Sequence, residues 1–418
     1  MIDGLSNIIL KHQQDIECWF RDKWHYHNPP FYGSVDLRNS GYKIAPVDMN
    51  LYPGGFNNIS QEVIPLAIQA INNAINRNCY KAKNILLIPE NHTRNKAYLK
   101  NVYTLKFILK QAGLEVKIGS LSQDIIKKTE IDITDELKMT YYPIYKKNNM
   151  LMLKDDNDFT PDLIIINNDL SMGNPDILNN LNQCLLPPLN AGWYMRKKSN
   201  FFQKYNEVVA EFSSILNIDP WLINPYFDNL EQVDFTNHNS LEILANKVEI
   251  LLNQIKSKYL YYKIKDEPYV VIKADNGTYG MGIMMVKSKQ QVLNMNRKTR
   301  NKMSIIKDGQ LVTNLILQEG VHSYEIIDGS VAETVIYMLD SSVIGGFYRV
   351  HPDKKGDENL NSVGANFIPL TYSHQCNTTN DKYDKNKLTS CTSSIFYINS
   401  VIARLSHLAS SFELSTFL

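Results

Sequence analysis

Residues 270–282 read VVIKADNGTYGMG, an apolar run that ends in Lys273 and enters a loop with glycines at 277, 280 and 282. The run predicts a strand, which fixes Lys273. The loop can fold over a polyanion, because glycine permits close backbone approach and positive φ. Asp275, Asn276, Thr278 and Tyr279 share that loop with Gly277, Gly280 and Gly282. Its spacing is neither that of a P-loop nor that of a strand-to-helix G-x-G-x-x-G. The expectation is therefore a phosphate cover contributed by a hairpin. A glycine-rich hairpin that binds nothing has the same composition.

Downstream segments extend the pattern. TNLILQEGV (313–321) predicts a short strand whose end, Gln318, Glu319, Gly320 and Val321, can offer backbone groups to an adenine. SVAETVIYML (330–339) and SVIGGFYRVH (342–351) are rich in β-branched and aromatic residues and predict two strands, which carry Glu333 and Arg349. ENLNSVGANFIPL (358–370) sets Asn359 and Asn361 in a loop. A lysine, a glycine loop, a glutamate, an arginine and asparagines in this order suit a magnesium–nucleotide site. A hard cation takes oxygen ligands, and a triphosphate needs fixed positive charge.

The first half of the chain reads as an open α/β domain. KNILLIPENHTRN (83–95) is an apolar strand running into a polar loop, and NKAYLKNVYTLKFILKQAG (95–113) has helical periodicity with Gly113 as a C-cap. LEVKIGSL (114–121) and PDLIIINNDLSMG (161–173) predict further strands. Open α/β sheets bind ligands beyond the carboxyl ends of their strands, where Glu90, Asn91, His92, Thr93 and Arg94 would sit, as would Asn167, Asn168 and Asp169. Arg94 is either a bidentate clamp for a substrate carboxylate or a solvated loop arginine. Pro187 and Pro188 break the pattern, and the basic, aromatic run from Arg196 to Lys204 is read as a solvated helix face or as a source of one phosphate-contacting lysine. This gives two expected domains, residues 1–190 for substrate and 191–418 for nucleotide.

PVDMNLYPGGFNNI, PENHTRN, VIKADNGTYGMGI, QEGV, GGFYRVH and ENLNSVGANF together resemble the ATP-grasp-type proteobacterial glutamate–cysteine ligases, over residues from about Tyr42 to Leu370. The resemblance implies a pre-ATP-grasp-like α/β domain followed by an ATP-grasp-like α+β region. It implies that ATP phosphorylates the γ-carboxylate of glutamate and that the cysteine amine displaces phosphate, the first step of glutathione biosynthesis. ATP and Mg2+ are the implied cofactors, and glutamate and cysteine the implied substrates. Lys273 and Arg349 would contact the phosphoryl group, residues 275–282 would close over it, and 318–321 would hold adenine. Arg94, Asn91 and Asn57 are the candidates for substrate binding. A ligase with another amine acceptor, or a nucleotide-binding relic without turnover, would share most of these motifs.

One departure stands out. The usual acidic-x-Asn pair followed by Pro-Gly is missing after the arginine strand, yet Asp48, Asn50, Pro53 and Gly54 reproduce it near the N-terminus. In an extended segment Asp48 and Asn50 face the same side. They are expected as metal ligands supplied from the other end of the chain, as in a circular permutation; as contacts to an amino-acid substrate; or as parts of a turn. Glu333, Asn359 and Asn361 complete the candidate metal set.

Composition narrows the class. The 44 basic and 43 acidic residues leave a net charge of +1, which argues against a nucleic-acid partner. No apolar run approaches the ~20 residues needed to span a bilayer, and the first twenty residues predict an amphipathic helix with no signal-peptide features. Five scattered cysteines without a C-x-x-C fit a reducing, cytoplasmic setting and suggest no zinc site. A polar, mobile loop is expected over 371–394.

Overall fold

The computed structural model describes residues 2–92, 94–154, 159–276, 282–304, 311–371 and 385–417, with side chains from residue 4 onward and, in the last helix, from residue 394. Gly277, Thr278, Tyr279, Gly280 and Thr93 lie outside the described residues, as does most of the 371–394 segment.

The first α/β unit forms as its periodicity predicts. Strands Asn84–Pro89, Glu115–Ser120, Lys138–Lys147, Leu163–Asn167 and Cys184–Leu186 are parallel, with Asn84–Pro89 flanked by Glu115–Ser120 on one side and Leu163–Asn167 on the other. Helix Lys96–Gln111 starts where Asn95 Oδ1 accepts the Tyr98 N–H at 3.2 Å, and it buries Leu99, Val102, Leu105, Ile108 and Leu109. The chain spreads from Asn84–Pro89 toward one edge and then returns to its other side. The strand order thus reverses between Asn84–Pro89 and Leu163–Asn167, and a crevice opens at their carboxyl ends.

A second, antiparallel sheet runs in the order Asn366–Pro369, Ser342–His351, Ser330–Leu339, Tyr32–Asn39, Ile44–Asn50. Its last two strands come from the start of the chain, so this sheet crosses the division expected near residue 190. The reason is burial: Val35, Leu37, Ile44 and Met49 join one core with Val335, Ile336 and the final helix Lys385–Ser415. Gly41, with φ of 76°, turns this N-terminal hairpin.

The third sheet, in the order Phe227–Leu230, Leu315–Glu319, Val270–Ala274, Met284–Val286, has its own core. Leu244, Val248, Leu251 and Ile255 of helix His238–Tyr261 pack on Val270, Ile272, Leu315 and Leu317. Val270–Ala274 pairs antiparallel with Met284–Val286, so the glycine loop does connect a hairpin. Among the described residues no helix is long and apolar enough to cross a membrane, and Cys18, Cys79 and Cys184 are free thiols.

Candidate active site

A cavity of about 300 Å³ opens where the three sheets meet. One wall is largely apolar, with Val271, Ile283, Met285 and Val321 beside Gln318 and Tyr269. The middle holds Lys273, Asp48, Asp36, Lys198 and Arg349, and the far end reaches Glu90, Asn167 and Asp169 at the crevice of the α/β sheet. Asn359 and Asn361 line the cavity as well.

The charged centre depends on the N-terminal hairpin. Asp36 and Asp48 are direct partners across its two strands, so both carboxylates project on one side, next to Asn50. Lys198 Nζ lies 2.6 Å from Asp48 Oδ1, and Lys273 Nζ donates to the Val47 carbonyl at 2.7 Å. Glu333 and Arg349 are opposite one another in the central pair of strands and form an ion pair. Arg349 Nη1 also meets Asp36 Oδ2 at 2.8 Å, while its Nε is buried with no partner among the described residues. Glu333 gives its other oxygen to Arg38 Nε at 2.8 Å.

These contacts set the protonation states. Burial works against the Asp48 carboxylate, although 41 % of its side-chain surface is open, but Lys198 and Lys273 outweigh burial and hold it down to about 2. Burial likewise opposes charge on Glu333, and Arg38 and Arg349 more than compensate and lower its pKa. Asp36 is raised by burial, with Arg349 only partly offsetting it. Burial brings Lys273 down to about 8, with Asp48 pulling the other way.

Lys273 therefore yields a pH prediction. A triphosphate held by Lys273, as the sequence resemblance implies, would favour the ammonium, so its binding at high pH would draw in a proton. Nucleotide affinity is expected to be flat below pH 7 and to fall as pH rises through about 8. Calorimetric titration with a non-hydrolysable ATP analogue measures this. Lys273→Arg, which stays protonated, should flatten the profile; an unchanged fall in that variant would assign it elsewhere.

A glutamate–cysteine ligase family model matches residues 6–414. The chain belongs to the glutamate–cysteine ligase family. A solved Methylobacillus flagellatus protein assigned as a γ-glutamylcysteine synthetase is 46 % identical, superposes with a TM-score of 0.90, and matches over 99 % of this chain and 96 % of that one. D-alanyl-alanine synthetase A of Vibrio cholerae is 10 % identical with a TM-score of 0.33, over 76 % of this chain and 81 % of its own. A glutathione synthetase-like effector of Globodera pallida is 8 % identical with a TM-score of 0.38, over 82 % and 75 %. No curated protein matches. Membership makes the chain an ATP-using ligase of glutathione biosynthesis.

In the ligase, Lys273, Arg349, Gln318, Glu319, Val321, Asp48, Asn50, Glu333, Asn359 and Asn361 all line the cavity. Other expected residues are placed differently. Both carboxylate oxygens of Asp275 accept from Ser199, from its N–H and its Oγ at 2.7 Å each, so Asp275 anchors helix Lys198–Leu216 instead of facing the cavity. Asn276 and Gly282 do not line it, although Gly282 does adopt the positive φ of a loop glycine, 63°. Gly320 donates to the Tyr269 carbonyl, and a Cβ there would lie 2.1 Å from the Tyr269 ring, so only glycine fits against that ring. The Glu319 carboxylate is taken up by Lys43 at 2.7 Å, Trp221 Nε1 and the Tyr226 N–H. Asn91 and Arg94 are exposed, and Asn57 is half-buried against Asn58; none of the three lines the cavity.

The basic run is not simply a solvated face. Lys198 is in the cavity and stacks over Trp193, and Arg196 is buried in an ion pair with Glu413 of the last helix. Asp36 and Arg38 were not singled out from sequence. The turn signal at Asn39, Ser40 and Gly41 between two apolar runs was the available clue.

Proposed function

We propose that the ligase activates the glutamate γ-carboxylate by phosphoryl transfer from ATP and that the cysteine amine then displaces phosphate, with both steps in this cavity. The observation that carries the reading is the convergence, in one cavity, of Lys273, Arg349 and the paired carboxylates of Asp36 and Asp48. Phosphoryl transfer to a carboxylate needs positioning and charge neutralisation more than covalent help. The apolar wall fits a flat base, and Lys273 fits the phosphates beyond it. Arg349, which lines the cavity, would hold the developing acyl phosphate. The crevice at Glu90 and Asp169 lies where the amino acids would enter.

Among the described residues no three His, Cys, Asp or Glu side chains gather as a metal cage. That pattern is compatible with magnesium, which is commonly held by one or two carboxylates together with substrate phosphates. Asp36 and Asp48 provide such donors, whereas Glu333 already has both oxygens on arginines and Asn50 Oδ1 accepts the Tyr52 N–H at 2.9 Å, in a turn. When bound, the ion would neutralise phosphate charge. The N-terminal hairpin thus carries the acidic-x-Asn pair with its following Pro-Gly, which is how we read the sheet as a permuted ATP-grasp arrangement.

The test is product analysis. Purified protein with Mg-ATP, glutamate and cysteine should give γ-glutamylcysteine and ADP by mass spectrometry, and neither amino acid alone should suffice for the dipeptide. ADP formation that needs glutamate but gives no dipeptide would replace cysteine by another amine. No turnover despite ATP binding would reject the proposal.

A further inference from the structure

We infer that Arg38 is a positioning residue for both the nucleotide and Arg349, an inference that rests on the ligase reading above. Arg38 lies on strand Tyr32–Asn39, and its side chain is 7 % exposed. Nε donates to Glu333 Oε2 at 2.8 Å, and the second oxygen of that carboxylate holds Arg349. Nη1 reaches the Tyr269 hydroxyl at 3.2 Å, the Val321 carbonyl at 3.3 Å and the Gly356 carbonyl at 3.2 Å. Nη2 donates to the Glu358 carbonyl at 2.7 Å. The Tyr269 hydroxyl also donates to the Val321 carbonyl, at 2.9 Å, so the Arg38 contact closes a small network there.

One planar group therefore ties three walls of the cavity together. It fixes the end of the 318–321 segment through Val321, the stretch leading into Asn359 and Asn361 through Gly356 and Glu358, and the arginine strand through Glu333. The work depends on the fork shape of guanidinium as well as on charge. A lysine ammonium carries the same charge on one nitrogen and cannot span these acceptors. Without Arg38, Glu333 is no longer divided between two cations. It can then take Arg349 with both oxygens and draw that guanidinium away from the cavity. The buried carbonyls would lose their donors at the same time.

The test uses Arg38→Lys and Arg38→Ala in the full-length protein. The readouts are affinity for a non-hydrolysable ATP analogue, kcat and KM for each substrate, and response to added guanidinium ion. Arg38→Lys is expected to weaken the analogue ~10-fold and to lower kcat up to ~100-fold, with KM for glutamate and cysteine unchanged. Guanidinium, but not ammonium, should restore part of the kcat of Arg38→Ala. A purely structural role predicts a lower melting temperature with normal kinetics and no such rescue; that result, or unchanged analogue affinity in Arg38→Lys, overturns the inference. If Arg38→Ala does not fold, Arg38→Lys decides. Wild-type protein that binds the analogue without making dipeptide overturns the ligase reading instead, and the analogue affinity of Arg38→Lys still settles the role of Arg38.

Discussion

Asp48→Asn is expected to reduce γ-glutamylcysteine formation by about 10³-fold and to move the magnesium requirement to higher concentration. The substitution keeps the shape of the side chain and removes its charge. Two effects then add. The Asp36 and Asp48 pair is left with one carboxylate, and Lys198 and Lys273 lose the anion between them. Lys198 would be free to turn toward Asp36 or the phosphates, and either move disturbs the charge pattern on which phosphoryl transfer depends. Because Asp48 is held down to about 2, ordinary assay pH never neutralises it. Only substitution can remove the charge. Steady-state kinetics over a magnesium series is the measurement. A large fall in kcat with an unshifted magnesium curve would assign Asp48 to lysine positioning alone. Turnover close to wild type would remove it from the site.

Arg349→Lys is expected to lower kcat by about 10²–10³-fold with a smaller change in KM for ATP. The guanidinium uses Nη1 to satisfy Asp36 and Glu333 and keeps a buried Nε without a partner among the described residues. In the proposed role the guanidinium fork bridges both carboxylates through one nitrogen and leaves another for an acyl phosphate, which a single ammonium cannot do. Burial opposes charge on Arg349, but Asp36 and Glu333 raise its pKa, so it is a fixed cation at any working pH. Single-turnover kinetics separates the outcomes. A slow phosphoryl step with normal nucleotide binding would support the role. A variant that binds ATP poorly but turns over normally at saturation would move Arg349 from the reacting group to the nucleotide.

Much of this site was legible because the relevant signals are local. The apolar runs that become Val270–Ala274, Leu315–Glu319, Ser330–Leu339 and Ser342–His351 announce strands by composition and length, and each carries a cavity-lining residue at a readable position. Asp48 and Asn50 share a face because two-residue spacing in a strand requires it. Asp275 shows the limit of such reading. It sits in the glycine loop like a phosphate contact, but Ser199 is brought against it by a helix start some 76 positions earlier in the chain. Lys198 shows the same limit: its run reads equally as a solvated face or as a phosphate-contacting lysine, and only the ion pair with Asp48, 150 positions away, holds it in the cavity. Arg94 has the right chemistry for a carboxylate clamp at the end of a strand, but its loop leaves it exposed outside the cavity.

Local patterning carried the central strands of the α/β unit, the strands around Lys273, Glu333 and Arg349, and the order of the nucleotide motifs, and the resemblance pointed to the ligase family. Those properties follow from side-chain periodicity, turn residues and motif spacing, all of which act within a few positions along the chain. The tertiary structure alone decided that the N-terminal hairpin joins the C-terminal strands. It also set Asp36 opposite Asp48 and divided Glu333 between Arg38 and Arg349. Such pairings depend on strand register and on burial shared by segments some 300 residues apart, and no local pattern carries that information.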